Sequence, residues 1–137
     1  MQTKQNKKLE FIISEADLAA YCPDLSTWAR SWRCEDRDII PGEQLVALFR
    51  PFLFYLLSEG LTRSTRNRHR DNLWLLGGEI IRDIIETPKL RKRSVEELLR
   101  EVIADGEGPL IHGGVSEAEQ NSFDSTCRKL HRFLALS

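Results

Sequence analysis

Residues 48–85 are LFRPFLFYLLSEGLTRSTRNRHRDNLWLLGGEIIRDII, and this stretch decides the fold because it predicts two helices joined by a tight turn. Apolar residues recur at i, i+3, i+4 and i+7 on both sides of the turn, as in helices that bury one face. Gly60 fits the left-handed position after the first helix, and Thr62 or Ser64 fits the N-cap of the second. We therefore expect the two apolar faces to pack together, through Phe49, Phe52 and Leu56 on the first helix and Leu73, Leu76 and Ile80 on the second.

The rest of the chain predicts further helices, with a weak strand signal throughout. We predict helices from Ser14 to Tyr21, from Asp24 or Ser26 to Arg33, from Gly42 to Glu59, from Arg63 to Ile85, from Ser94 to Ala104 and from Glu117 to Leu136. The predicted fold is all-α, a single-domain bundle of five or six helices over residues 9–137. Residues 1–8 are polar and basic and predict a disordered tail.

Three local features make sharper predictions. Pro51 should kink the third helix or split it after Arg50, because proline lacks the N–H that a helix interior needs. Gly77 and Gly78 lie mid-helix, which predicts a close approach of another helix at that point. Residues 35–38 and 89–93 are charged and predict a loop and a basic linker, respectively.

Composition places the protein among ordinary soluble domains. Of 137 residues, 41% are hydrophobic and 30% charged, and the net charge is −1. Three cysteines, Cys22, Cys34 and Cys127, are an odd and widely spaced set, which disfavours a secreted disulfide framework. We found no signal peptide and no apolar run of membrane-spanning length, so we expect a cytoplasmic protein that does not bind membranes.

Basic residues concentrate in one segment, which suggests an anionic partner. Residues 63–93 contain nine basic and four acidic residues, so this segment carries +5 and the rest of the chain −6. Arg63, Arg66 and Arg70 share one stripe of the helix with Asn67 in the same sector, and we expect the three arginines to be exposed without a carboxylate fully pairing them. Arginines at a helix N-terminus suit phosphate, and Arg and Asn also read base edges. The predicted contacts with double-stranded DNA are Arg63, Arg66, Asn67, Arg70, Lys89, Arg91, Lys92 and Arg93.

Two alternatives fit the same sequence. The basic stripe is also typical of a solvated helix face held by pairs with Asp71 or Glu59. A second function class is a protein–protein interaction module, whose contacts would be Trp28, Trp32, Phe52 and Tyr55. Against that second hypothesis, Trp28 and Trp32 lie four residues apart on one helix face, which is more typical of core anchors than of an exposed pair.

The pattern FYLLSEGLTRSTRNRHRDNLWLLG resembles the SAM-like, N-terminal core-binding domain of phage integrases and other tyrosine recombinases. The resemblance covers about residues 49–77 and implies a helical domain whose second helix approaches DNA. The segments NLWLLGGEIIRD and SFDSTCRKLHRFL are also similar to parts of short uncharacterised bacterial proteins, a similarity that implies no activity.

No catalytic or metal signature accompanies this resemblance. Recombinase chemistry needs a His-x-x-Arg pair, yet Asn, Val and Leu lie three residues after His69, His112 and His131. Cys127 and His131 share a helix face, but no tight Cys pair supports zinc. The glycine-rich segment 106–114 lacks the ending of a phosphate loop and predicts a flexible connector or a lid. We therefore expect a non-enzymatic protein without metal or cofactor.

Overall fold

The computed structural model describes residues 12–136, and this part of the chain is all-helical. Its six α-helices are α1 (Glu15–Tyr21), α2 (Trp28–Trp32), α3 (Ile39–Ser58), α4 (Arg63–Glu86), α5 (Val95–Val102) and α6 (Glu117–Ala135). Short 3-10 turns lie at Leu25–Thr27, Asp36–Asp38 and Pro88–Lys92. The prediction of an all-α bundle of five or six helices is confirmed. The predicted tail, residues 1–8, lies outside the described residues.

The α3–α4 pair forms the centre of the core, as the sequence predicts. Phe49, Phe52 and Leu56 on α3 are fully buried, and so are Leu73 and Leu76 on α4, while Ile80 is 2% exposed. Gly60 ends the turn with φ of 70°, a left-handed conformation that glycine adopts without strain. The Thr62 hydroxyl accepts a hydrogen bond from the N–H of Thr65 and so caps α4.

Helix α4 is continuous through Gly77 and Gly78, because the indole of Trp32 fills the space that a side chain would take. A Cβ atom built at Gly77 would overlap the six-membered ring of Trp32. The indole N–H of Trp32 also donates to the carbonyl of Trp74, 3.0 Å away. The prediction of close packing by another helix is thus confirmed, and the packed helix is the five-residue α2.

The structure differs from the sequence predictions at two points of α3. The helix runs unbroken from Ile39 to Ser58, so Pro51 does not split it. Asp36–Asp38 form a 3-10 turn directly before α3, where the sequence predicts a loop, and Asp38 is 1% exposed. The Asp38 carboxylate accepts hydrogen bonds from the N–H groups of Cys34 (2.9 Å) and Glu35 (2.8 Å). It also forms an ion pair with Arg91 (2.6 Å). Burial raises the pKa of Asp38, but these donors outweigh it and hold the pKa below its usual range.

The segment Asp36–Ser58 is long and apolar enough to cross a membrane by length and composition. The core helix of a soluble protein meets the same criterion. In this fold, α3 lies at the centre of the bundle and contacts α1, α2, α4 and α5. This likeness to a membrane span is therefore weak evidence of one.

The glycine-rich segment is anchored to the bundle at several points. The N–H of Gly108 donates to the carboxylate of Asp124 (3.1 Å), and the N–H of Ile111 donates to the side-chain carbonyl of Gln120 (3.1 Å). His112 contacts the buried Glu79 of α4 through its ring Nδ1, at 2.6 Å. These contacts fix α6 against α4 and set the relative position of the two helices.

Candidate nucleic-acid interface

The arginine stripe at the start of α4 is largely covered by α1. The guanidinium carbons of Arg66 and Arg70 lie 5.9 and 5.6 Å from the ring centre of Tyr21, within range of a cation–π interaction. The Tyr21 hydroxyl donates to the carbonyl of Arg66, and Arg70 donates to the carbonyl of Tyr21 at 2.9 Å. Arg70 also pairs with Asp71 at 2.9 Å and donates to Asn67 at 3.3 Å.

The stripe therefore does not form as a fully exposed row. Arg63 is exposed and has no ion pair in the described part of the chain. Arg66 and Arg70 are half-buried, so the expectation that all three arginines are exposed was wrong. Arg70 also pairs with Asp71, as the alternative of a helix face held by ion pairs predicts. The physical reason for the burial is that the ring of Tyr21 lies within cation–π range of both guanidinium groups.

The predicted basic linker is also partly occupied by structural contacts. Arg91 pairs with the buried Asp38. Arg93 pairs with Glu97 and Glu101, which both lie in α5. Lys89 and Lys92 are exposed and have no ion pair among residues 12–136. They lie beyond the C-terminal end of α4, about 36 Å from its start at 1.5 Å per residue. The two halves of the predicted DNA surface are thus at opposite ends of one helix.

The alternative prediction, a protein-interaction surface of four aromatic residues, was wrong for three of them. Trp28 and Trp32 are buried and tilted against each other, with ring centres 5.9 Å apart. Phe52 is fully buried. These side chains anchor α2 and α3 on the core, because burying an aromatic ring removes a large apolar area from water. Tyr55 alone is half-buried and reaches the surface.

Basic residues that the sequence analysis missed lie on α6. This helix runs antiparallel to α4, since Glu79 contacts His112, Asn72 contacts Ser122 and Lys129 pairs with Glu59, just before α4. The C-terminal half of α6 therefore lies beside the start of α4. We call this region the basic end and define it by Arg68, which donates to Ser122 of α6, and by Arg128, Lys129 and Arg132.

A groove of about 580 Å³ opens at the basic end, between the end of α3, the start of α4 and α6. Four polar residues of α6 follow i, i+3, i+4, i+7 spacing along it, which places them on one helix face. Arg128 and Arg132 are exposed and have no ion pair in the described part of the chain, whereas Lys129 is half-buried and pairs with Glu59. The residues that line the groove are Tyr55, His69, Ser125, Arg128, Lys129, Arg132, Phe133 and Leu136.

His69 lies at the base of this groove and is 5% exposed. Its ring Nδ1 is 2.7 Å from the hydroxyl of Thr126, which also accepts a hydrogen bond from Asn72 at 2.9 Å. Burial, with smaller contributions from the charges of Arg68 and Lys129, lowers the pKa of His69 to about 4. The ring is therefore neutral at pH 7.

The cysteines do not converge with other metal ligands. Within residues 12–136, no three His, Cys, Asp or Glu side chains are grouped closely enough to hold a metal ion. Cys22 and Cys127 are buried, and burial raises the pKa of each thiol to about 12. Because the thiolate is the nucleophilic form, both are unreactive at pH 7.

No protein-family model, curated protein or solved structure matches this chain. The resemblance of residues 49–77 to the integrase core-binding domain therefore stays a prediction.

Proposed function

We propose that this protein binds double-stranded DNA through the basic end and has no enzymatic activity of its own. The observation that carries the proposal is the antiparallel packing of α4 and α6, which brings arginines from two distant segments together. Arg68, Arg128 and Arg132 are exposed there, and none has an ion pair in the described part of the chain. Arg68 also donates to the hydroxyl of Ser122 on α6 at 3.4 Å. Unpaired arginines on one surface suit a row of phosphates, which they contact without a competing carboxylate.

The charge distribution supports a local mode of binding. The net charge of the chain is −1, so the protein as a whole does not attract a polyanion. Attraction would come from the basic end, over a distance of about one Debye length, roughly 8 Å at physiological salt. Binding of this kind should weaken steeply as salt rises, because each phosphate contact releases counterions.

The structure narrows the set of residues in the proposal. Arg66, Arg70, Arg91 and Arg93 have structural partners, so we assign them smaller roles in binding. Asn67 remains half-buried beside Arg70 and would contact a duplex that lies across the start of α4. Lys89 and Lys92 would contact the same duplex only if it followed α4 along its length.

Salt dependence of duplex binding tests the proposal. Fluorescence anisotropy would be measured with a labelled duplex carrying 5′-hydroxyl ends, over a series of salt concentrations. The double variant Arg128→Ala, Arg132→Ala should flatten the slope of log K against log salt by about two units. The matched control is Lys89→Ala, Lys92→Ala, which removes the same charge at the far end of α4 and should leave the slope unchanged.

Two other outcomes would contradict the proposal. If the lysine control flattens the slope and the arginine variant does not, the DNA surface is the predicted linker and not the basic end. If the wild type binds no duplex even at low ionic strength, the DNA proposal fails. The protein-interaction hypothesis would then remain, without Trp28, Trp32 and Phe52 as its contacts.

A further inference from the structure

We propose that the groove at the basic end is a binding site for a phosphomonoester group, held by His69, Ser125, Arg128 and Arg132. The phosphate group could come from either of two sources. One source is the phosphorylated 5′ end of a DNA strand, and for this source the inference rests on the proposed function. The other source is a small phosphate ester. Both present the same dianionic group to the same side chains.

The buried histidine distinguishes this groove from an ordinary basic surface. Nδ1 of His69 has Thr126 as its partner, and Nε2 has none among the described residues. Nε2 is not among the fully buried polar atoms that lack a partner, so it keeps some exposure to solvent. Because His69 lines the groove and only 5% of the residue is exposed, we assign the exposure of Nε2 to the groove.

The hydrogen bonds of Thr126 are compatible with a ring proton on Nε2 of His69. The Thr126 hydroxyl already accepts from Asn72, and its possible acceptors are His69 Nδ1 at 2.7 Å and the carbonyl of Ser122 at 3.5 Å. When the hydroxyl donates across the shorter contact to Nδ1, the neutral ring carries its proton on Nε2, which makes it a donor for an anion in the groove.

The charges around the groove match a dianion. Arg128 and Arg132 are the two lining cations without an ion pair in the described part of the chain, whereas Lys129 is paired with Glu59. A phosphomonoester carries between 1.5 and 2 negative charges at pH 7, and a phosphodiester carries one. The hydroxyl of Ser125, one turn before Arg128 and Lys129, supplies a further donor on the same helix face. The monoester therefore satisfies the two arginines more fully than a diester does.

The first arm of the test uses small probes with the complete, unmodified protein. Methyl phosphate and dimethyl phosphate would be titrated while the ring signals of His69 are followed by NMR. Because His69 is buried and bonded to Thr126, the wild-type ring serves as the reporter and needs no replacement. Methyl phosphate should shift the His69 signals, raise the pKa of His69 from about 4, and bind about tenfold more tightly than dimethyl phosphate.

A pair of variants controls this arm. Arg128→Ala, Arg132→Ala should abolish the shift at His69, while Lys89→Ala, Lys92→Ala should leave it intact. No shift with methyl phosphate, or equal affinity for the two probes, overturns the phosphomonoester site.

The second arm separates the two sources and keeps the proposals distinguishable. The 5′-hydroxyl duplex is compared with the same duplex carrying 5′-phosphates. A gain of about tenfold in affinity from the phosphates identifies the strand end as the source. If methyl phosphate binds and the duplex gains nothing, the source is a small phosphate ester. If the 5′-hydroxyl duplex does not bind while methyl phosphate does, the DNA proposal fails and the phosphomonoester site stands.

Discussion

The arginines at the start of α4, Arg66 and Arg70, and those near the end of α6, Arg128 and Arg132, have similar spacing but different surroundings. We call these two pairs the α4 row and the α6 row. Arg66 and Arg70 lie one turn apart, and both guanidinium groups are within cation–π range of the Tyr21 ring of α1. Arg128 and Arg132 also lie one turn apart, and no ring or carboxylate in the described part of the chain is paired with them. Helical spacing therefore shows which side chains share a face, whereas the packing of distant elements decides whether that face is free.

The largest expected effect comes from removing the ring that covers the α4 arginines. Tyr21→Ala should lower the free energy of unfolding by about 3–5 kcal/mol, the usual cost of deleting a buried aromatic side chain. Chemical denaturation would measure this loss. Tyr55→Ala is the matched control, because Tyr55 is half-buried beside the α6 row and should cost less. Equal losses would mean that the two rows are covered to the same extent, which contradicts the comparison.

The next effect is a pH dependence produced by His69. Its pKa is about 4 in the folded state and near 6.5 when unfolded, so the unfolded chain binds more protons between these values. Stability should therefore fall as the pH is lowered from 6.5 to 4, by about 3 kcal/mol at most. Denaturation at several pH values would show it as the difference between the wild type and His69→Gln. If that difference does not change with pH, His69 does not lie buried beneath the α6 row.

The smallest effect compares one arginine from each row. Arg70→Ala should destabilise the protein by about 1–2 kcal/mol, because it removes a cation–π contact and a hydrogen bond to the Tyr21 carbonyl. Arg132→Ala should change stability by less than about 0.5 kcal/mol, as is usual for a surface substitution without partners. Thermal unfolding of the two variants would measure the difference. A larger loss of stability for Arg132→Ala than for Arg70→Ala would mean that the α6 row, and not the α4 row, is held by structural contacts.

The sequence was sufficient for the parts of the fold that depend on local patterns. The faces of α3 and α4, the turn at Gly60 and the N-cap at Thr62 are each encoded within a few residues. The packing at Gly77 was also predicted, because two glycines inside a helix are costly unless a neighbour lies close.

The contacts that decide the candidate site are separated widely along the chain. Tyr21 reaches Arg70 across 49 residues and Asp38 reaches Arg91 across 53, and no local pattern connects either pair. The α6 row had a visible signal, since Ser125, Arg128, Lys129 and Arg132 follow helical spacing. The groove, however, also needs Tyr55 from α3 and His69 from α4, which only the packing of three helices brings together.

The seating of Trp32 on Gly77 has an optical consequence. All three tryptophans of the chain lie along the contact of α2 with the middle of α4, where Trp32 donates to the carbonyl of Trp74 and the indole of Trp74 donates to Ser31. None lines the groove at the basic end, whose fluorophore is Tyr55. Tryptophan fluorescence therefore reports on that helix contact. An anion that occupies the groove should leave the emission wavelength and intensity unchanged.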